Sequence, residues 1–313
     1  MYNTDVKSRF IQSYSTSLTV RRACISLFNA LQRYEEAWGA DLCTRSSEVL
    51  QPIIDKYVGI RDNARGISVS IIKAYIKWCV DNGVPGAVDG LSGVVFDFVP
   101  KIRSQMLANP THLKKCLDET FNPESDGATD MLLRCFCYLA YMGLPENEIL
   151  PLRVSDIDWH NMVVRTGGEE YQIVREAVPT LRFCANSPIL KLKHPHYETT
   201  VERTVSDALM RGGHGVVTLS ALRVSLSRAT AMAVSLGQCG VSLSYGRLWL
   251  SGFFYRAYQQ EISGFPPDFE SAATDRAMPS GPEMDDGTAR AKIKRAARDF
   301  ERDYEQWKRA FYA

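Results

Sequence analysis

The sequence predicts a mainly α protein built from two helical domains, the second carrying one small β-sheet. Three observations lead there. Apolar residues recur at helical spacing through most of the chain. One stretch, 162–178, alternates with period two around Gly167-Gly168, as a hairpin or small sheet would. Glycine and proline between residues 82 and 86 separate a first helical group from the rest. At 313 residues the chain has room for two domains, and its 45% hydrophobic and 23% charged content supports a packed core in each.

The elements follow in order. Segments 6–14, 19–38, 46–57 and 67–82 each carry apolar residues at helical spacing, most clearly Ile71, Ile72, Tyr75, Ile76 and Cys79. Asn82-Gly83-Val84-Pro85-Gly86 closes the last of these helices and a first domain of residues 1–84. Residues 85–108 form a connector with a short apolar stretch at 94–99. A second domain, 109–262, opens with Asn109-Pro110-Thr111, a helix start, and continues helical through residue 121. A strongly apolar helix at 129–141 ends at Gly143, the hairpin follows, and helices are predicted at 201–211, 219–236 and 246–262. Pro266-Pro267, Pro279 and Pro282 mark 263–287 as a flexible linker. In the terminal helix, 288–313, Ile293, Ala297, Phe300, Tyr304, Trp307 and Phe311 fall at alternating steps of four and three. That apolar seam must pack, either on its own chain or on a second copy, which would give self-association.

No apolar run approaches the roughly 18 residues that span a bilayer, and Met1-Tyr2-Asn3-Thr4-Asp5 lacks a signal pattern, so no membrane partner and a cytoplasmic location are expected. The eight cysteines are scattered without C-x-x-C spacing; they read as reduced, buried packing residues, and neither metal nor other cofactor is expected. His194 and His196 flank Pro195 in a spacing that more often marks an exposed turn than a metal site. The whole chain carries a net charge of only +1, but residues 182–256 hold nine Lys and Arg against three acids, a local balance of +6. A solvated basic face and a phosphate-binding face both fit that concentration.

The residues that bear chemistry lie in this basic half. Leu219-Ser220-Ala221-Leu222-Arg223 is followed, 26 residues after Arg223, by Trp249, and Tyr258 comes nine residues later. A tyrosine hydroxyl can attack a phosphodiester when a fixed cation neutralises the phosphate and an N–H donor steadies the developing charge. The order and spacing resemble the C-terminal half of the tyrosine recombinase (phage integrase) family, in which the arginine of an H-x-x-R motif precedes a His or Trp nine residues before the nucleophile. The segment from Gly143-Leu144-Pro145-Glu146 to Asp156-Ile157-Asp158 is similar to a second motif of that family.

The resemblance implies a tyrosine recombinase fold: an N-terminal helical (SAM-like) core-binding domain plus a mostly α catalytic-type domain with a small β-sheet. It also implies double-stranded DNA as partner, a phage or mobile-element origin, and strand breakage and rejoining through a 3′-phosphotyrosyl bond at Tyr258, assisted by Arg223 and Trp249, with no metal or nucleotide. Pro145 stands where the family's first arginine belongs, and Ser220 replaces the H-x-x-R histidine. The hairpin lysine is missing, since no lysine occurs between Lys115 and Lys191. Arg165 and Arg175, on or beside the hairpin, are candidate replacement cations, and with Arg228, Arg247 and Arg256 they are candidate DNA contacts. Losing one preorganised donor typically costs about 10²–10³ in rate, so catalysis is expected to be weak or lost. The alternative is a non-catalytic architectural or regulatory DNA-binding protein on the same fold.

Overall fold

Four helices open the chain: α1 (Thr4–Tyr14), α2 (Leu18–Trp38), α3 (Ser47–Tyr57) and α4 (Asp62–Asp81). The computed structural model describes residues 1–57, 62–121, 128–187, 189–193, 198–202, 206–211, 217–277 and 286–313, in two compact units, Met1–Ile102 and Arg103–Ala313. The structure is mostly helical, with a three-stranded sheet. No described helix is long and apolar enough to cross a membrane.

In the first unit the helical periodicity becomes a core of Phe10, Leu27, Phe28, Leu31, Ile53 and Ile54 against Ile71, Ile72, Tyr75, Ile76 and Cys79. The α4 terminus is set by Gly83 at φ +61°, which lets the Val84 amide donate to the Cys79 carbonyl at 3.0 Å. Lys7 lies fully buried in this core, its Nζ 2.5 and 2.6 Å from the two Glu35 oxygens and 2.8 Å from the Tyr2 carbonyl oxygen. Tyr75 donates to Asp41 at 2.9 Å, completing a buried polar network that ties α1, α2 and α4 together. The unit extends past residue 84. Val94 is buried against it, Phe96 and Phe98 pack on it, and the Gln51 side-chain carbonyl accepts from the Val95 amide at 2.9 Å. The short apolar stretch in the expected connector is therefore a packing strip, and α5 (Val99–Arg103) ends it.

In the second unit, α6 (Pro110–Thr120) starts as the sequence predicts, with the Asn109 side chain accepting from the His112 amide at 2.8 Å. Asn109→Ala is expected to cost about 1 kcal/mol, read as a lower urea midpoint with unchanged slope. The helix α7 (Ala128–Met142) is the axis of the core, and Gly143 at φ +105° ends it before the short α8 (Glu146–Ile149). Strands β1 (Ile157–Asp158), β2 (Val163–Thr166) and β3 (Glu169–Gln172) form an antiparallel sheet in that order. Gly167 and Gly168, both at positive φ, turn β2 into β3 with Thr166 opposite Glu169, as a two-residue primed turn requires.

Three expectations are corrected here. The alternating stretch does not stay extended to residue 178: β3 stops at Gln172, and α9 (Val178–Asn186) begins with Pro179 in its first turn, where proline favours a helix and cannot serve a strand ladder. Among the described residues no helix forms at 201–211. Instead β4 (Ile189–Lys193) pairs antiparallel with β5 (Glu198–Glu202), in keeping with the period-two Ile-Leu-Lys-Leu-Lys and the β-branched Thr199, Thr200 and Val201. Residues 206–211 then run along the 152–154 segment, where the Leu209 amide donates to the Leu152 carbonyl at 2.9 Å and the Val154 amide to the Asp207 carbonyl at 2.7 Å.

The third correction concerns the C-terminal region. After α10 (Leu219–Ser235) and α11 (Tyr245–Ile262), the expected linker contains α12 (Phe269–Ala277), whose Ala272 and Ala273 are buried and whose Phe269 ring lies 5.5 Å from that of Tyr304. The terminal α13 (Asp286–Tyr312) closes its seam on its own unit. Ala297, Phe300, Tyr304, Trp307 and Ala310 are buried, the Trp307 indole N–H donates to the Leu107 carbonyl at 2.9 Å, and Tyr304 and Lys308 both reach Glu261. The seam expected to serve a second copy is thus occupied in cis. His194 and His196 lie outside the described residues.

Candidate functional site

Arg223 lies in the second turn of α10, one turn beyond Ser220, and its guanidinium forks onto Glu146: Nε donates to Oε1 at 2.6 Å and Nη2 donates to Oε2. This bidentate pair raises the arginine's pKa and fills the geometry that would otherwise hold a phosphate. Glu146 follows Pro145, which caps α8 from a non-helical conformation. Pro145 thus marks a helix start, and the carboxylate that follows it restrains Arg223.

Trp249 lies in the first turns of α11. Its indole N–H donates to the Gly143 carbonyl at 3.2 Å and its ring stacks on Phe253, with centroids 5.6 Å apart. It lines a cavity of about 850 Å³ together with Pro145, Glu148, Glu169, Glu170, Asp268 and Arg256. Four carboxylates against one arginine make that cavity hostile to a polyanion. Arg256 lies under it, its Nη1 donating to the Tyr141 carbonyl at 2.8 Å, and burial pushes its pKa down to about 10. It serves as a cation at the C-terminus of α7.

Tyr258 faces elsewhere. α11 is unbroken from Tyr245 to Ile262, and nine residues at about 100° each turn Tyr258 about 180° from Trp249. Its ring stacks on Tyr312 of α13 at 4.1 Å and meets Trp307 edge-on at 6.3 Å. Nearby, Arg175 lines a cavity with Tyr255, Gln259 and Tyr312. Neither described cavity just named, nor the one that holds Arg223, contains more than one of Arg223, Trp249 and Tyr258.

What the structure does unite is Arg223 with Arg247. Both line a cavity of about 300 Å³ with Ser227, Ser242 and Ser244 at the N-terminus of α11. Arg247 donates to the Ser242 carbonyl at 2.9 Å, and burial lowers its pKa. Arg228 is exposed on α10. Arg165 is held by Asp158 at 2.8 Å and Glu170 at 2.7 Å, so it does not replace the missing hairpin lysine.

The cysteines hold a grouping that sequence inspection missed. All eight are buried and unbridged, but Cys116 of α6 and Cys239 of the α10–α11 loop lie against each other with Glu119 beside them. A hydrogen bond between the Cys116 and Cys239 thiols lowers the Cys239 pKa to about 6 and raises that of Cys116. The two cysteines are 123 positions apart; the sole local signal was Cys116-x-x-Glu119 on one helix face.

Among curated proteins none matches the sequence. Residues 1–81 match the family model described as MrpR, N-terminal core-binding domain, a tyrosine-recombinase-type N-terminal domain, so the first unit is of a type that suggests a DNA partner and a recombinase-like function.

Proposed function

We propose that this protein binds double-stranded DNA through a recombinase-like architecture and does not cleave it. The observation that carries the second half is the fork of Arg223 onto Glu146, with Trp249 and Tyr258 on opposite faces of one helix. No phosphate can meet all three while α11 is intact. Binding is supported by the core-binding match over residues 1–81 and by Arg247 in the first turn of α11, where the helix N-terminus also favours an anion. Arg228 on α10 is a further exposed cation, and Arg175 is another in the separate cavity with Tyr255 and Gln259. Self-association through α13 enters only as exchange of that helix between copies, because its seam is already filled in cis.

A fluorescently labelled duplex titrated at several salt concentrations tests binding. Affinity is expected to fall steeply with salt, and Arg228→Ala and Arg247→Ala each to flatten the log–log slope by about one through loss of a phosphate contact. No binding at low salt overturns the proposal. Once a bound sequence is in hand, a nicked suicide duplex carrying it should yield no covalent adduct, with the native chain or with Pro145→Arg. The retained spacing of Arg223, Trp249 and Tyr258 favours a second reading, an active site-specific recombinase. An adduct that disappears in Tyr258→Phe would establish that reading instead.

A further inference from the structure

The geometry points to a zinc site formed by Cys116, Glu119 and Cys239, a site independent of the DNA reading. One ligand atom from each residue lies within 4.8 Å of the other two, the one such grouping among the described residues. In a tetrahedral zinc site, Zn–S bonds of about 2.3 Å place two sulfurs roughly 3.8 Å apart, so side-chain rotation alone can close the cluster. Two thiolates and a carboxylate form a donor set for a borderline-soft divalent cation, with a fourth position open to water.

The local backbone supports this assignment. Cys116 and Glu119 share one face of α6, fixed by the helix, and Cys239 sits in the turn that Gly237 makes at φ +68° after α10. The Val241 amide donates to the Cys239 sulfur at 3.5 Å, an N–H···S contact of the kind that steadies a metal-bound thiolate from outside the coordination sphere. The Thr120 hydroxyl, next to Glu119, lies within hydrogen-bond reach of the Cys239 sulfur, a second donor to that atom beside the Val241 amide. Cys43 and Cys79 also lie against each other in the first unit, but no third ligand completes a comparable grouping there. A zinc ion at Cys116, Glu119 and Cys239 would tie the α10–α11 loop to α6 and so fix the two helices that carry Arg223 and Arg247.

The test uses the reduced full-length chain. Zinc is titrated in competition with a chromophoric chelator, and cobalt(II) is substituted to read thiolate-to-metal charge transfer. One equivalent is expected, with a cobalt spectrum typical of two thiolates. Cys116→Ser and Cys239→Ser should each abolish the charge-transfer band, and Glu119→Gln, a near-isosteric change at a half-buried position, should weaken binding about tenfold or more. Cys43→Ser and the double change of His194 and His196 to Ala should leave the stoichiometry at one. Failure of the native chain to compete for zinc, binding that survives Cys239→Ser, or loss of binding on changing the two histidines overturns the assignment.

Discussion

Ending the chain at residue 285 is expected to abolish the cooperative unfolding transition of the second unit while leaving that of the first. α13 is the wall of that unit. Its Trp307 is 1% exposed, donates to the Leu107 carbonyl, and packs against Phe254 at 5.9 Å. Removing one such side chain from a core costs about 3–5 kcal/mol, against a net domain stability of about 5–15 kcal/mol. The deletion removes Ala297, Phe300, Tyr304 and Ala310 as well, together with the contacts of Arg103 to the Ala310 carbonyl and of Tyr312 to the Ala108 carbonyl. Differential scanning calorimetry of the truncated and full-length chains decides it. Trp307→Ala supplies the milder version, with a midpoint lowered by about 6–20 °C at roughly 2–4 °C per kcal/mol for a unit of this size. A truncated chain that melts as the full one does would show α13 to be a detachable appendage.

Gly252→Ala is expected to be nearly as severe. A Cβ at Gly252 would stand 1.7 Å from the Tyr141 carbonyl oxygen and 3.2 Å from Arg256 Nη1. The obstacle is backbone, so it cannot rotate away; α11 must lift off α7 along the axis of the core. Overpacking by a methyl group ordinarily costs about 1–3 kcal/mol where side chains can yield, and this contact should exceed that range. It would also pull Arg256 from the Tyr141 carbonyl that it caps. Gly240→Ala is the matched control, because a Cβ there meets nothing within 4 Å and the backbone is not left-handed. The pair is compared by thermal midpoint; equal midpoints would mean that the two helices are not pinned.

The parts of the fold that were legible in the sequence are those whose signal is local. The α4 residues Ile71, Ile72, Tyr75, Ile76 and Cys79 fall on the buried face they predict, and Gly83, Gly143 and Gly167-Gly168 take the positive φ that their turn positions require. Where two local signals compete, the longer one misled. Residues 201–211 carry enough apolar spacing to suggest a helix, but 201–202 end a strand paired with 189–193 and 206–211 run along 152–154, partners visible only once the chain has folded back. At the site, the order and spacing of Arg223, Trp249 and Tyr258 are legible in the sequence, and the direction of their side chains is not. The nine residues from Trp249 to Tyr258 are the same in a broken helix and a continuous one, and only the continuous helix turns them apart. The Arg223–Glu146 fork spans 77 positions and the Cys116–Cys239 contact more, distances at which no sequence pattern speaks.

The unbroken α11 also bears on what strand cleavage at these residues would require. Arginine at 145 would restore one charge, yet Tyr258 would still lean on Tyr312 behind the helix. Turning it to the Trp249 side demands a break between residues 249 and 258, the very turns in which Gly252 fits against Tyr141. Such a break would undo the α7–α11 packing that holds the unit together. On this backbone the proposed cleavage site would therefore need a broken and less stable α11, because a point change at residue 145 alone leaves Tyr258 where folding needs it.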